Sequence, residues 1–551
     1  MLQVKELTIT HEKDLKILLE DCSFSLQRGD KAVIIGEEGN GKSTLLKWIY
    51  DPILIESYAK AVGERIFTGE RLGYLPQELT APSEMSVMDF FLDDPAFQET
   101  SPRDLARYLG QLGLDKDFCY RDQSLVTLSG GEKVKAQLLK ILIQEPTVLL
   151  LDEPSNDLDM DTLEALESLI LNFKGIVLFI SHDEVLIERT ANVVIHIEQV
   201  YQKRESRYQV ARLGYREYVR TRLADFERQE TLAADDQRQK KIRDEKYRKI
   251  YERVDHEQAA ISRRDPSGGR LLKKKMHAVK ALEHRFERED EKMTKRPIKE
   301  EAIDFSFSEL SEPIPAGKVV LDLTIDELTI PVPDSADSAA GKTVLSRNIR
   351  LFVQGPRKIC ILGANGVGKT TLLRQIAEIL LARKDLKAVY MPQRYEDLLP
   401  MEKTPVDFLT DSIDLSKVRI IDKHATAQQR KAREDREKQG FGVTEREWRT
   451  HVRTYLGALR FTTEETDHAI RELSGGQKAK LFLLKMTLSG ANVLVLDEPT
   501  RNFSPLSGPV IRRMLREFPG TIISVSHDRK YIKEVCDEIY QLTPEGLKKM
   551  D

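Results

Sequence analysis

The sequence predicts an α/β protein built twice, with an antiparallel pair of long helices between the halves. Three observations carry this. Five short motifs recur in the same order at two places in the 551-residue chain. Each set opens with an apolar strand, a glycine-rich loop and a helix start, the pattern of a phosphate-binding βα unit. Between the sets the chain changes character. Residues 201–300 hold 29 Lys and Arg against 19 Asp and Glu, a net of +10 in a chain of net charge −4.

The first set reads Gly36-Glu-Glu-Gly39-Asn-Gly41-Lys42-Ser43, Tyr74-Leu-Pro-Gln77, Leu128-Ser129-Gly130-Gly131-Glu132, Val148-Leu-Leu-Leu-Asp152-Glu153-Pro154 and Ser181-His182-Asp183. The second reads Gly363-Ala-Asn-Gly366-Val-Gly368-Lys369-Thr370, Tyr390-Met-Pro-Gln393, Leu473-Ser474-Gly475-Gly476-Gln477, Val493-Leu-Val-Leu-Asp497-Glu498-Pro499 and Ser526-His527-Asp528. Ser129 and Ser474, Asp152 and Asp497, and His182 and His527 are each 345 residues apart, whereas Gln77 and Gln393 are 316 apart. The second copy therefore has 29 extra residues before its Ser-Gly-Gly motif, and its charged run around Lys423 to Arg449 is the candidate. The first copy spends 35 residues from Lys42 to Gln77, against 24 in the second. These are loop-scale differences, so both copies should share one fold.

Between the copies few glycines or prolines interrupt Tyr215 to Ser262, and Tyr247, Ile250, Val254 and Ile261 recur at helical spacing. Leu272, Met276, Val279, Leu282 and Phe286 resume the pattern. Pro266 with Gly268 and Gly269 reads as the turn between two arms. Residues 261–280 carry seven bases (Arg263, Arg264, Arg270, Lys273, Lys274, Lys275 and Lys280) and one acid, Asp265. Such a tip would meet the dense phosphate of folded RNA by charge rather than by base reading. The segment from Arg419 to Thr450, with nine bases and six acids, reads as a solvated helical excursion. Pro331 to Gly341 reads as a loop between early strands of the second copy.

Composition narrows the class. A chain this long exceeds one core, and the repeat supplies two. No run approaches the ~18 apolar residues of a membrane span, and the N-terminus lacks a signal peptide's apolar core. Four scattered cysteines (Cys22, Cys119, Cys360 and Cys536) fit a reducing cytoplasm and give no zinc or iron–sulfur spacing.

The motifs specify a chemistry. The loop glycines (Gly36, Gly39 and Gly41; Gly363, Gly366 and Gly368) let backbone N–H groups close around phosphates, and the helix start adds positive potential. Lys42 and Lys369 reach the β- and γ-phosphates of ATP, with Thr44 and Thr371 beside them; Ser43 and Thr370 hold Mg²⁺. Asp152 and Asp497 end apolar strands, where a carboxylate binds Mg²⁺ through water. Glu153 and Glu498 are placed to polarise the attacking water, Gln77 and Gln393 to sense Mg²⁺ and water, and His182 and His527 to contact the γ-phosphate.

Together these residues resemble the ATP-binding cassette superfamily over nearly all of both copies, Leu-Ser-Gly-Gly being its signature. The resemblance implies an α/β fold of two P-loop ATP-binding-cassette domains joined by an antiparallel α-helical hairpin linker. The boundaries expected are 1–200, 201–300 for the linker, and 301–551. It also implies that the cassettes of a monomer close head to tail on ATP. Ser129, Gly130 and Gly131 would then cap the nucleotide at Lys369, and Ser474, Gly475 and Gly476 the one at Lys42. Two departures stand out. No Tyr, Phe or Trp lies between Met1 and Asp21 or between Val319 and Arg350, where cassettes usually carry an adenine-stacking aromatic. The family's crossing aspartate is present as Asp159 but is replaced by Ser504 in the second copy.

Three functions compete. Tandem cassettes drive membrane transporters, but that pattern has no basic hairpin. Repair ATPases carry cysteine clusters, and chromosome ATPases far longer coiled coils. The chain as a whole looks like the ABC-F family, whose hallmark is a two-helix linker between cassettes. Glu498 to Ser507 is similar to a ribosome-protection, antibiotic-resistance subgroup. The resemblance implies a cytoplasmic, ribosome-associated ATPase without a membrane partner. It would bind near the exit tRNA site while ATP-bound, meeting large-subunit RNA and peptidyl-tRNA.

Overall fold

The computed structural model describes residues 1–77, 85–156, 158–200, 205–260, 266–291, 293–294, 313–331, 342–411 and 444–550. They fall into two compact units, Met1–Tyr215 with Glu300–Asp551, and Arg216–Lys299.

The first copy supplies strands β1 (Leu2–His11), β2 (Ile17–Leu26), β3 (Lys31–Ile35), β4 (Ala59–Phe67), β5 (Leu72–Leu75), β6 (Val148–Asp152), β7 (Ile176–Ile180), β8 (Val193–Val200) and β9 (Glu205–Ala211). Its main sheet has the order β5-β6-β7-β3-β8-β9, parallel except for the last pair. The second copy supplies β10 (Val319–Pro331), β11 (Lys342–Gln354), β12 (Lys358–Leu362), β13 (Ala388–Met391), β14 (Val493–Asp497), β15 (Thr521–Val525), β16 (Glu538–Thr543) and β17 (Gly546–Met550). Its order, β13-β14-β15-β12-β16-β17, matches the first strand for strand. β9 still closes the first sheet, so the helical unit begins at Arg216 rather than at 201.

Strands β3, β6, β7, β14 and β15 are buried at every position, as their unbroken apolar runs require in parallel sheets covered on both faces. Alternation then sorts side chains by face. Ile359 and Ile361 join one core cluster with Val493 and Val495, while Cys360 joins Leu494 and Leu496 on the other side. The order places β3, β7 and β6 side by side, so their carboxyl ends bring the phosphate loop, Ser181 and Asp152 to one edge. That edge is where ligands bind in open α/β sheets.

The copies differ beside this common sheet. The longer Lys42–Gln77 stretch builds β4, which completes a three-stranded accessory sheet, β2-β1-β4. Among the described residues the second copy has the pair β10-β11 there. Most of the charged insertion lies outside the described residues. Its end is not solvated throughout, because the helix Glu445–Ala458 buries Trp448 and Val452 in the second core. The Pro331–Gly341 loop also lies outside them, apart from Pro331, which ends β10.

In the second unit, helices Tyr215–Ala260 and Pro266–Glu291 run antiparallel. Tyr247 packs edge-on to Phe286 at 5.9 Å, and Lys240 pairs with Asp290 at 2.7 Å. Lys275 reaches Glu257 at 3.3 Å, and Val254 and Val279 are buried. Ile250, which shares the helical spacing of Tyr247 and Val254, is exposed. The expected turn is corrected: Pro266, Gly268 and Gly269 are the opening residues of the second helix. A proline's missing N–H costs nothing in a first turn, where that donor has no helical partner. The five residues before Pro266 lie outside the described residues.

Candidate functional site

Each phosphate loop is a left-handed backbone path. Gly36, Gly39 and Gly41 have φ of 147°, 77° and 84°, and Gly363, Gly366 and Gly368 have 156°, 81° and 97°. A Cβ at Gly36 would stand 2.2 Å from the Ile197 carbonyl, so side chains are excluded there by space as well as by conformation. The loop ends in the helix Lys42–Tyr50 in the first copy and Lys369–Ala382 in the second. Lys42 Nζ donates to the carbonyls of Gly36 and Glu37, both at 2.9 Å. Lys369 Nζ does the same to Gly363 and Ala364 at 2.8 and 2.9 Å. Both ammonium groups thus lie across their own loops, and burial lowers the Lys369 pKa. Thr44 and Thr371 occupy the first turns of these helices.

The next residues are brought together as expected. Ser43 Oγ donates to Asp152 Oδ1 at 2.9 Å, and Thr370 bonds Asp497 in the same way. Burial pushes both carboxyls up to about 6. Asp497 Oδ2 is buried with no hydrogen-bond partner. A hydroxyl beside a buried, incompletely satisfied carboxylate is a donor set that suits Mg²⁺, so the residues fit the ion. Gln77 and Gln393 stand two residues beyond the edge strands β5 and β13, and Gln77 is exposed.

The paired glutamates diverge. Both have φ of 51°, a costly backbone for a residue with a Cβ and one found preferentially at functional sites. Burial alone would raise Glu153. The His182 charge outweighs it: Nε2 lies 2.9 Å from Glu153 Oε1, and the carboxyl falls to about 2. His182 itself is raised, since the Glu153 charge overcomes its burial. Glu498 accepts from Ser526 Oγ and His527 N at 3.2 and 3.3 Å, and burial next to Asp497 pushes it up to about 8.

Each signature serine caps its own helix. Ser129 opens Gly130–Ile143 with a capping box to Glu132, and Ser474 opens Gly475–Leu488 with one to Gln477. The two copies meet at these motifs. The Gly476 N–H donates to the Glu38 carboxylate of the first phosphate loop. Lys480 bonds both Glu37 oxygens at 2.8 Å. His182 Nδ1 lies 2.7 Å from the Phe503 carbonyl, so the segment containing Ser504 adjoins the Lys42 site. On the other side, the Asp159 carboxylate caps the helix Met160–Asn172, feels the charge of His527 and acts on Lys369.

The sequence reading missed the contacts that join the copies away from the phosphates. Arg512 Nη1 donates to Glu184 Oε1 at 2.5 Å, with both side chains buried. Lys530 bridges Glu184 and Glu188 at 2.8 and 2.5 Å, and Arg529 reaches Glu167 and Asp183 at 2.5 and 3.1 Å. A Cβ at Gly508 would come within 2.2 Å of Glu184 Oε1, which explains the glycine. The available signal was the 345-residue offset, which sets Glu167 against Arg512 and Glu184 against Arg529.

Of the hairpin bases, Lys273, Lys274 and Lys280 are exposed, and Lys275 is partly engaged by Glu257. Arg263 and Arg264 lie outside the described residues. Arg270 stands in the first turns of the second helix.

A family model described as ABC transporter matches residues 19–156 and 346–501. The chain is similar to the ribosome protection protein VmlR of Bacillus subtilis, with 26% identity over 98% of this chain and 87% of that protein. It is similar to ABC transporter F family member 5 of Arabidopsis thaliana at 23% over 95% and 72%, and to the ATP-binding protein Uup of Escherichia coli at 25% over 95% and 77%. Among solved structures, the archaeal ribosome recycling factor aABCE1, in complex with the stalk protein aP1, matches 99% of this chain and 89% of its own. Its TM-score is 0.55 and its identity 16%, a likeness of fold alone.

Proposed function

The chain belongs to the ABC transporter family and is an ATPase with relatives of the ABC-F type, and from that premise we propose that it acts on the ribosome. The observation that carries the reading is the two-helix unit that lies between the cassettes in sequence, with Lys273, Lys274 and Lys280 exposed on its second helix. Its exposed cations suit phosphate-rich RNA. The full-length similarity to a protein named for ribosome protection supports the same reading. Among the described residues no helix is long and apolar enough to cross a membrane.

On this reading the protein binds near the exit tRNA site when ATP closes the cassettes, with the hairpin directed toward peptidyl-tRNA and large-subunit RNA. Lys42 and Lys369 leave their own loop carbonyls to bind phosphate oxygens. Ser43 with Asp152, and Thr370 with Asp497, would hold Mg²⁺, which when bound would supply positive charge beside the phosphates. Gln77 and Gln393 orient water and ion. Glu153 and Glu498 accept the proton of the attacking water, and His182 and His527 contact the γ-phosphate. The signature residues Ser129 to Gly131 and Ser474 to Gly476 complete the opposite sites through their N–H groups. Loss of the γ-phosphate removes the bridge, and the cassettes part.

Replacing Lys273, Lys274 and Lys280 by Glu in the full chain tests the reading. Ribosome co-sedimentation with a non-hydrolysable ATP analogue should weaken, and the salt slope of what binding is left should shrink. ATPase activity without ribosomes should stay near the parental rate. Equal sedimentation at every salt concentration would remove RNA contact from the hairpin. Recovery of the parental chain with membranes rather than ribosomes would favour a transporter subunit.

A further inference from the structure

The turn after β7 carries Ser181, His182 and Asp183, and its two flanks are held differently. On one flank Ser181 Oγ lies 2.8 Å from Ser155 Oγ of the same cassette and accepts the Asp183 N–H at 3.0 Å. On the other, Asp183 Oδ1 accepts the N–H groups of Val185 and Leu186 at 2.8 and 3.0 Å, which caps the helix Glu184–Thr190. Its second oxygen, Oδ2, accepts from Arg529 Nη2 at 3.1 Å, and Arg529 belongs to the second cassette. The same guanidinium pairs with the buried Glu167 at 2.5 Å.

We propose that Arg529 is a positioning residue for His182. Reaching across the joint, it fixes the residue next to the histidine and so holds the turn at the Lys42 site. Hydrolysis there would then depend on a side chain of the second cassette. The proposal rests on the reading of His182 as a γ-phosphate contact.

Three features support it. His182 Nε2 lies 2.9 Å from Glu153 Oε1, so a shift of the turn moves the histidine off the glutamate that faces the attacking water. Burial pushes the Asp183 carboxyl up, and the Arg529 charge is the chief influence against it. Without that cation a buried carboxylate would lose its counter-charge beside the cap. Third, the two turns are unequal. Asp528 caps its own helix in the same way, accepting from Lys530 N and Tyr531 N at 2.8 and 3.1 Å. The residue matching Arg529 in the first cassette is Glu184, an acid, which pairs instead with Arg512 and Lys530. That position cannot return the same hold to Asp528. The tie exists only while the cassettes are in contact, so closure on ATP and the placing of His182 become one event at the Lys42 site.

The test uses the full chain in two backgrounds. With Glu498→Gln, single-turnover hydrolysis reads the Lys42 site; with Glu153→Gln it reads the Lys369 site. Adding Arg529→Met should slow the Lys42 site by about tenfold or more, as a small displacement of a positioned group can. The ATP concentration giving half the maximal rate there should change by less than about threefold, and the Lys369-site rate by no more than that. Arg529→Lys, which keeps a cation near Asp183, should recover part of the lost rate. Arg512→Met loosens the same joint without touching Asp183 and should favour neither site. Equal slowing of both sites by Arg529→Met overturns the proposal. So does an unchanged rate at the Lys42 site, or a site preference in Arg512→Met that matches the one in Arg529→Met. The underlying reading fails separately. If His182→Ala leaves the Lys42-site rate unchanged, His182 is no phosphate contact, whereas loss of rate in His182→Ala beside an unaltered Arg529→Met sinks the proposal alone.

Discussion

The two cassettes share a six-stranded sheet in one order, yet their paired glutamates, Glu153 and Glu498, sit in opposite electrostatic settings. Glu153 is held ionised by His182, whereas Glu498 is buried beside Asp497 and pushed up to about 8. The phosphate loops differ in the same sense, with two acids in one and none in the other. Backbone geometry has been kept, down to a φ of 51° at both glutamates. Thus the sheet fixes where the paired glutamates stand, while neighbouring side chains of the same cassette set the charge of each.

Removing both glutamates tests what the sites have in common. Glu153→Gln with Glu498→Gln should lower phosphate release by roughly a hundredfold or more, the scale of a lost general base, while ATP still binds. The closed form should then accumulate on ribosomes and inhibit translation. Turnover at the parental rate would take these residues out of the mechanism.

The joint between the cassettes comes next in size. Arg512→Met leaves Glu184 buried with only Lys530 beside it, and breaking a buried pair typically costs about 3–5 kcal/mol. Thermal unfolding should show the loss, and Glu184→Gln with Arg512→Met should recover much of it. No shift in the melting point would mean that the pair is as weak as a surface contact.

Smaller effects separate the sites. Single-turnover rates of Glu153→Gln and Glu498→Gln should differ by severalfold, with hydrolysis at the Lys42 site the slower, because Ser504 replaces the crossing carboxylate there. Indistinguishable rates would break the comparison. GTP should support turnover within about tenfold of ATP, a discrimination below ~1.4 kcal/mol, since no aromatic stands at the usual upstream position. Aliphatic side chains adjoin both loops, Leu18 at Gly41 and Leu328 with Leu345 at Gly368. A preference for ATP above a hundredfold would point to another stacking residue.

The repeat made the sheet legible, because five motifs at fixed offsets pin strand ends and loops. The Ser43–Asp152 bond was also legible, as both residues end elements that the motifs define. Chain reversal in the hairpin was not, because Pro266 and the glycines after it fit a turn and a helix start equally well. Glu38 and the Glu184–Arg512 pair were hidden for a different reason. Their partners lie 438 and 328 positions away, and no local pattern encodes a contact between copies.

The ion pairs along that joint carry a consequence for how the protein assembles. Acids at 167 and 184 in one half stand where the other half has arginines, at 512 and 529. Two identical first halves meeting by the same rotation would set carboxylate against carboxylate, and two second halves would set guanidinium against guanidinium. The duplicated chain has become a lock and its own key. Pairing within one molecule is rewarded, and self-association of either half, or filament growth by exchanged halves, is rejected by charge before any nucleotide arrives.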